Sequence, residues 1–384
     1  MTTSDRGAFG EPKSADPQSL SGRLRALLIE LMLIPGLSGH EDRVRRRLKR
    51  ELAALGLATR TDVMGNLTAT APGDPARPSV MLFTHMDQLG FIVRKIEPSG
   101  LARVERLGGV PERALASQAV LFCLGEGRDL AGVIANKSHH ATTPEEKYRV
   151  LPYAEIFIDG GFASAEAMRE AGIEIGTPVV YAPNAVPLAG GRIAGTSVDD
   201  RAGCAVLIEA ARALLATPAR PTVHFVFSVQ EEFNLRGALA AAQTLRPDIA
   251  IQLDLMLAAD TPDMTGRGEV RLGGGPAVSL YSFHGRGTLN GTLPHPGLVG
   301  VFERSARALA MPLQRSAQVG VLTDSSYVQL VGGGVAAIDV GFPIRYSHSS
   351  LEVCDLADLE ALTRLVAAAI ESIGADFPLD RDLL

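Results

Sequence analysis

From about residue 190 onward, short β-rich apolar runs alternate with amphipathic helical stretches, and this alternation restricts the chain to an α/β fold. Helical periodicity covers residues 202–215 and 235–245, and apolar strand-like runs cover 222–229 and 249–255. A further compact apolar run, 79–84, suits a buried parallel strand. Strands separated by helices imply a mostly parallel sheet flanked by helices on both faces. Ligands of such open sheets bind in the crevice outside the carboxyl ends of the strands. Polar residues at those ends therefore become the first candidates for function.

Residues 1–18 are rich in Pro, Gly, Ser and Asp with few large apolar side chains, which predicts a disordered extension. A helix follows with Leu24, Leu27, Leu28, Leu31 and Ile34 on one face, and Pro35-Gly36 ends it. Ser38 with Glu41 three residues later has the form of a capping box, predicting a second helix from about His40 to residue 55. After Asp87 the texture changes to hairpins, 90–96 and 101–107 about the turn Glu97-Pro98-Ser99-Gly100, with further β-like runs to about residue 180. These features divide the chain into a catalytic part, 19–87 and 190–384, interrupted by an inserted β-rich domain, 88–189. The last helix carries Leu359, Leu362, Val366 and Ile370 on one face, with Asp355 and Asp358 placed for its N-terminus.

At 384 residues and 46% hydrophobic content the chain has ample material for a large core. Its 37 Lys+Arg against 43 Asp+Glu give a net charge of -6, and the densest basic run, 43–50, has the spacing of a solvated helix face, so no nucleic-acid partner is expected. Cys123, Cys204 and Cys354 are isolated, which argues against a disulfide framework and a thiolate metal site and fits a reducing compartment. No signal peptide or membrane-spanning run is apparent, and a cytoplasmic location is expected.

Five stretches bring carboxylates and histidines to the ends of apolar runs. In His85-Met86-Asp87, a neutral imidazole suits zinc or cobalt, and a nearby carboxylate can fix its tautomer. Asp199-Asp200-Arg201 precedes a helix, where capping accounts for one carboxylate but not two; a bridging carboxylate would hold two cations together, with Arg201 supporting its neighbour. Glu231-Glu232 follows a strand; in extended backbone the two side chains diverge, so one can ligate while the other acts as general base. Asp254 lies within an apolar run, where an unpaired carboxylate is costly. His348 follows a strand in a Ser-rich loop. Together these offer His85, Asp199, Glu232, Asp254 and His348 as ligands, with Glu231 free. Such nitrogen and oxygen ligation suits two divalent ions, zinc or cobalt, with manganese also compatible. His139, His140, His224, His284 and His295 have no comparable partners.

Over nearly its whole length, from about residue 20, the chain resembles the glutamyl, or tetrahedral, aminopeptidases, dinuclear metallopeptidases that include proteins once labelled endoglucanases. The resemblance rests on Pro35-Gly36-Leu37-Ser38-Gly39-His40-Glu41, Gly65-Asn66-Leu67, His85-Met86-Asp87, Gly132-Val133-Ile134 with Pro144-Glu145-Glu146, Asp199-Asp200-Arg201-Ala202-Gly203, Gln230-Glu231-Glu232 with Leu235-Arg236-Gly237-Ala238, and Arg345-Tyr346-Ser347-His348-Ser349. It implies that His85 and Asp254 are terminal ligands of one metal, Glu232 and His348 of the other, and that Asp199 bridges. It further implies Glu231 as the general base toward a water held between the metals, and Asp87 as the acid supporting His85. The expected activity is removal of the N-terminal residue from short peptides. The expected assembly is a homo-oligomer whose dimers form through the inserted domain, either as the end state or as the building block of a tetrahedral dodecamer. Gln88 stands where the family usually has Glu, and Phe233-Asn234 follows Glu232 where Val-Gly is usual. The stretch 285–297 lacks the family's usual Gly-x-Gly-Pro. Two other readings share the same residues: a carboxypeptidase or deacylase built on a similar scaffold, and an inactive metal-binding scaffold.

Overall fold

The computed structural model describes residues 16–285 and 290–383, so the expected extension lies outside the described residues except for 16–18. Helix α1 (Leu20–Met32) is capped by Ser19, whose side chain accepts from Gly22 N, and helix α2 is Asp42–Ala54. Strands β1 (Thr59–Thr61), β2 (Leu67–Ala71) and β3 (Val80–His85) follow. The chain then makes β4 (Gly90–Ile96), β5 (Leu101–Leu107), β6 (Ala119–Phe122), β7 (Leu130–Ile134) and β8 (Phe157–Asp159). After helix α3 (Ala165–Glu170) it returns through β9 (Pro178–Tyr181). Strands β4 to β9 close into a barrel in the order β4-β5-β8-β7-β6-β9 around its own apolar cluster, which includes Phe91, Val104, Phe122 and Ile158.

Beyond the barrel come β10 (Ala185–Pro187), β11 (Arg192–Gly195), α4 (Val198–Leu215), β12 (Val223–Ser228), α5 (Gly237–Leu245) and β13 (Ile249–Leu257). The remaining elements are β14 (Ala277–Phe283), β15 (Gly291–Thr292), α6 (Pro296–Ala308), β16 (Gln314–Val319), α7 (Ser325–Val328), β17 (Ala336–Ile344), β18 (Glu352–Asp355) and α8 (Leu356–Ser372). The main sheet runs β1-β2-β12-β3-β13-β17-β14-β15, with β16 beside β14. Its centre is parallel, with β12, β3, β13 and β17 sharing one direction, and β16 runs parallel to β14 at one side, while β1, β2, β14 and β15 add antiparallel pairs at both sides. The sheet is mixed, a correction to the expectation of a mostly parallel one. Apolar periodicity records which runs are buried but not which way they point.

Helices cover both faces. Ile251, Leu253, Ile338 and Val340 face the larger cluster, built with α1, α4 and α8. Met81, Phe83, Val226, Ala250 and Ala337 face a smaller cluster with Ala238, Ala241 and Val328 of α5 and α7. Side chains alternate along a strand. The second face therefore continues upward into His85, Ser228, Gln252, Asp254 and Asp339, an apolar layer giving way to a polar one at the carboxyl end of the sheet. Among the described residues no helix is long and apolar enough to cross a membrane.

Two local expectations are corrected. Ser38 and Glu41 form no capping box: Glu41 occupies the N-cap of α2 without a side-chain cap bond. The Gly-x-Gly-Pro pattern sought at 285–297 stands upstream at Gly273-Gly274-Gly275-Pro276. There the amides of Gly273 and Gly275 donate to Asp358, each at 2.8 Å.

Candidate metal centre

His85 closes β3, and Asp254 sits inside β13 rather than after it. Asp199 stands at the start of α4, where Asp199 and Asp200 depart from helical geometry and the peptide between them is cis. Glu231-Glu232 follows β12, and His348 lies in the loop after β17, with a φ of 69°. The fold brings all of them together. His85, Asp199 and Asp254 present ligand-type atoms within 4.8 Å of one another, and Asp199, Glu232 and His348 do the same. Asp199 belongs to both groups: its Oδ1 is 3.1 Å from His85 Nε2 and its Oδ2 is 3.4 Å from His348 Nε2. Glu231 Oε2 lies 4.0 Å from His85 Nε2, and Glu232 Oε1 lies 3.8 Å from His348 Nε2.

Glu231 and Glu232 diverge for a reason other than extended backbone. Gln230 has a φ of 57°, so the pair sits on a turn. Asp87 holds that turn, accepting from Glu231 N at 3.0 Å and Glu232 N at 3.1 Å, and it also accepts from Ser38 Oγ. Its Oδ1 is 3.4 Å from His85 Nδ1. One fully buried carboxylate thus orients His85 and the two glutamates together.

Several contributors escaped sequence reasoning. Glu352, 2% exposed, accepts from Asp199 N at 3.0 Å and His348 N at 2.6 Å, tying the two groups together through their backbones. A carboxylate opening the apolar strand Glu352-Val353-Cys354 was its only sequence signal. Glu41 accepts from Gly39 N at 2.7 Å and Gln230 N at 3.2 Å, bracing the glutamate turn. Gln252 Nε2 donates to Asp254 Oδ2 at 2.9 Å. The Gly109 carbonyl, from the loop after β5, accepts from His348 Nδ1 at 2.9 Å, which leaves Nε2 to face Asp199 and Glu232.

Arg201 does not support its neighbour as expected. It is fully buried, with no ion pair among the described residues, and donates to Ile34 O at 3.4 Å and Gln88 Oε1 at 3.3 Å. Asp200 is held instead by Thr84 Oγ1 and Gly203 N. Of the remaining histidines, His224 Nδ1 pairs with Thr70 Oγ1 at 2.9 Å, and His139 and His140 are exposed on a short 3-10 turn of the barrel.

The electrostatics are those of a site with too many carboxylates for its own cations. Burial pushes Glu231 and Asp254 well above the usual carboxylate range, and neighbouring carboxylates add to the shift. Glu232 is pushed up to about 7, again mainly by burial. Burial opposes charge on Asp199 too, but hydrogen bonds from His348 and His85 outweigh it and hold Asp199 below the usual range. Burial disfavours the His85 and His348 cations, yet Glu231, Glu232 and Asp199 raise both well above an ordinary imidazole. Three acids around two imidazoles, with thiols absent from both groups, form a donor set that fits divalent cations of the zinc, cobalt or manganese type.

A model of the M42 glutamyl aminopeptidase family matches residues 65–365. The putative aminopeptidase SgcX of Escherichia coli strain K12 is 34% identical over 365 residues, which cover 94% of this chain and 97% of that protein. Among solved structures, an aminopeptidase from the archaeon Desulfurococcus kamchatkensis is similar with a TM-score of 0.86 and 31% identity, covering 94% of this chain and 97% of its own. The TET1 peptidase of Pyrococcus horikoshii, which can assemble into a tetrahedron or a large octahedral shell, is similar with a TM-score of 0.79 and 27% identity, covering 92% and 99%. With the match running through every strand that delivers a residue to the centre, the chain belongs to the M42 glutamyl aminopeptidase family and is an aminopeptidase.

Proposed function

We propose that the chain removes the N-terminal residue from short peptides with two divalent cations, one held by His85, Asp199 and Asp254, the other by Asp199, Glu232 and His348. The observation that carries this is the pair of ligand groups sharing a single carboxylate, Asp199. Two such cations supply Lewis-acid polarisation of the scissile carbonyl and acidify a water molecule. Glu231 takes the proton of the attacking water and delivers it to the leaving amine. Burial raises its affinity for a proton, which suits a base that takes a proton from water and then returns it. Asp87 keeps His85 and Glu231 in mutual register through the contacts described above.

Residues 19–87 and 190–384 form the catalytic unit in this reading, and 88–189 an inserted domain that holds the contact between copies. The barrel exposes Val133, Tyr148 and Val150, of which Tyr148 is 84% exposed, and apolar surface of this kind suits burial in a homo-oligomer. A dimer as building block, extended to a tetrahedral dodecamer, agrees with the shells formed by the Pyrococcus horikoshii relative. Metal analysis with activity tests the reading. Metal-free protein is expected to be inactive and to regain aminopeptidase activity with zinc or cobalt at about two equivalents per chain. One ion per active chain, with no gain from a second, would overturn it.

A further inference from the structure

The candidate ligands draw their outer contacts from both parts of the chain. His85 and Asp254 are backed from within the catalytic unit, His85 by Asp87 at 3.4 Å and Asp254 by Gln252 Nε2 at 2.9 Å. His348 is held from the barrel side by the Gly109 carbonyl. Glu232 differs: its amide donates to Asp87 and its Oε1 stands 3.8 Å from His348 Nε2, but no hydrogen bond reaches its carboxylate among the described residues. A carboxylate that ligates a metal ordinarily has an outer partner that fixes its orientation.

Beside Glu232 lies a space of about 10 Å³, room for a single water molecule, and Tyr181, Asp199, Glu232 and Glu352 are among the residues that line it. Tyr181 is the last residue of β9, paired with Val120 of β6, and its ring meets Phe91 edge to face within the barrel core. It is 2% exposed, and its hydroxyl has no hydrogen-bond partner among the described residues. Buried polar atoms nearly always have one. The charged groups that share the space with it are carboxylates, which when ionised only accept. Burial and the Glu352 charge push its phenol up, so it remains protonated and a donor. Glu352 accepts from Asp199 N and His348 N, one amide at each oxygen, and each oxygen keeps a second lone pair.

We propose that this space holds one ordered water molecule, which accepts from the Tyr181 hydroxyl and donates one hydrogen bond to Glu232 and one to Glu352, so that Tyr181 is a positioning residue for the cation held by Asp199, Glu232 and His348. This rests on the two-cation reading of the centre. Three hydrogen bonds are the usual complement of a buried water. The water also does what the hydroxyl alone cannot: Tyr181 has one proton to donate, and the water turns that single donor into two. One of the carboxylates so fixed is a candidate ligand, and the other already ties Asp199 to His348 through their amides. Both ligands that the second cation does not share, Glu232 and His348, are then oriented from the barrel, one by β9 through water and the other by the loop after β5.

Tyr181→Phe removes the hydroxyl and keeps the ring against Phe91. The test is a calorimetric titration of metal-free wild type and variant with zinc. The variant is expected to bind one zinc as wild type does and the other at least ~10-fold more weakly, the scale of loss when an outer partner of a metal ligand is removed. Two unchanged affinities, or two equally weakened ones, would overturn the assignment. The Tm of the metal-free proteins separates bridging from packing. Loss of a bridging hydroxyl leaves it unchanged or lowers it, whereas loss of a hydroxyl that bonds nothing raises it, because an unsatisfied buried polar group is costly to retain. A raised Tm therefore counts against the water. A crystal structure of the wild type decides even if the variant does not fold: a water within about 3.2 Å of Tyr181 Oη and of both carboxylates supports the bridge, and a dry space overturns it. Wild-type protein that takes up a single zinc would instead count against the two-cation reading, with the crystal structure still deciding the bridge.

Discussion

Replacing Gly109 by alanine tests how the barrel reaches into the catalytic centre. Gly109 does not have a positive φ, so alanine meets no backbone obstacle. An added Cβ would lie 2.7 Å from His348 Nδ1 and 2.9 Å from His348 Cε1, short of ordinary contact at 3.4 Å. The ring must therefore retreat by about 0.5–0.7 Å, which stretches the bond from Nδ1 to the Gly109 carbonyl beyond its present 2.9 Å. Losing a supporting hydrogen bond of this kind lowers metal affinity by about 10–100-fold, or roughly 1.4–2.7 kcal/mol. The loss falls on the cation held by Asp199, Glu232 and His348, because His85 and Asp254 do not touch Gly109. Global stability is expected to hold or rise, since alanine narrows the unfolded ensemble. Calorimetric titration of metal-free protein with zinc should show one affinity preserved and one weakened, with the Tm of the metal-free form unchanged or higher. Two unchanged affinities, or two equally weakened ones, would refute the link between the barrel loop and one site.

Glu231→Gln is expected to keep both cations and lose at least about 100-fold in kcat, whereas Glu232→Gln should lose one cation; metal content and kcat measured on both separate base from ligand. Burial pushes the Asp339 carboxyl up to about 6 from an ordinary 3.8, against the pull of the Ser325 and Thr323 hydroxyls. A raised folded value means that the stability linked to its proton is present below about pH 4 and lost as pH rises through about 6, on the order of 3 kcal/mol in all. Asp339→Asn should accordingly gain stability over wild type between pH 4 and pH 8 in urea titrations, and an equal difference at both pH values would contradict this. Removing residues 88–189 should leave a monomer by light scattering; a dimer would place the contact on the catalytic unit.

What could be foreseen from the chain, and what could not, follows from where each residue finds its partner. His85, Asp199, Glu232, Asp254 and His348 were legible because each puts an ionisable group next to a strongly apolar run, where burial without a counter-charge is costly. The supporting residues give no such signal. Ser38 and Glu41 match a capping box in spacing, but that pattern describes bonds within one turn of helix, and here tertiary partners win: Asp87 for Ser38, the amides of Gly39 and Gln230 for Glu41. Glu352 bonds the backbone of Asp199, 153 residues away, and no local rule anticipates an acceptor for an amide so distant.

Arg201 carries the same lesson further. Its sequence neighbours Asp199 and Asp200 suggested an ion pair, yet both are engaged elsewhere, and the guanidinium is left with two neutral oxygens at 3.3–3.4 Å. Gln88 supplies one of them. Its Oε1 also accepts from Gly36 N at 3.0 Å, so the side chain ties the loop before α2 to the strand that ends in His85. A carboxylate at 88 would neutralise Arg201 but add another negative charge beside Asp87, Glu41 and Glu232, all of which already compete for positive charge. The amide keeps the geometry and forgoes the charge. In this chain the surplus of buried carboxylates therefore already reaches past the candidate ligands to Glu41 and Glu352, both pushed up mainly by burial, while the shared Asp199 is held low by its two imidazoles; an amide at 88 keeps one more charge out of that layer.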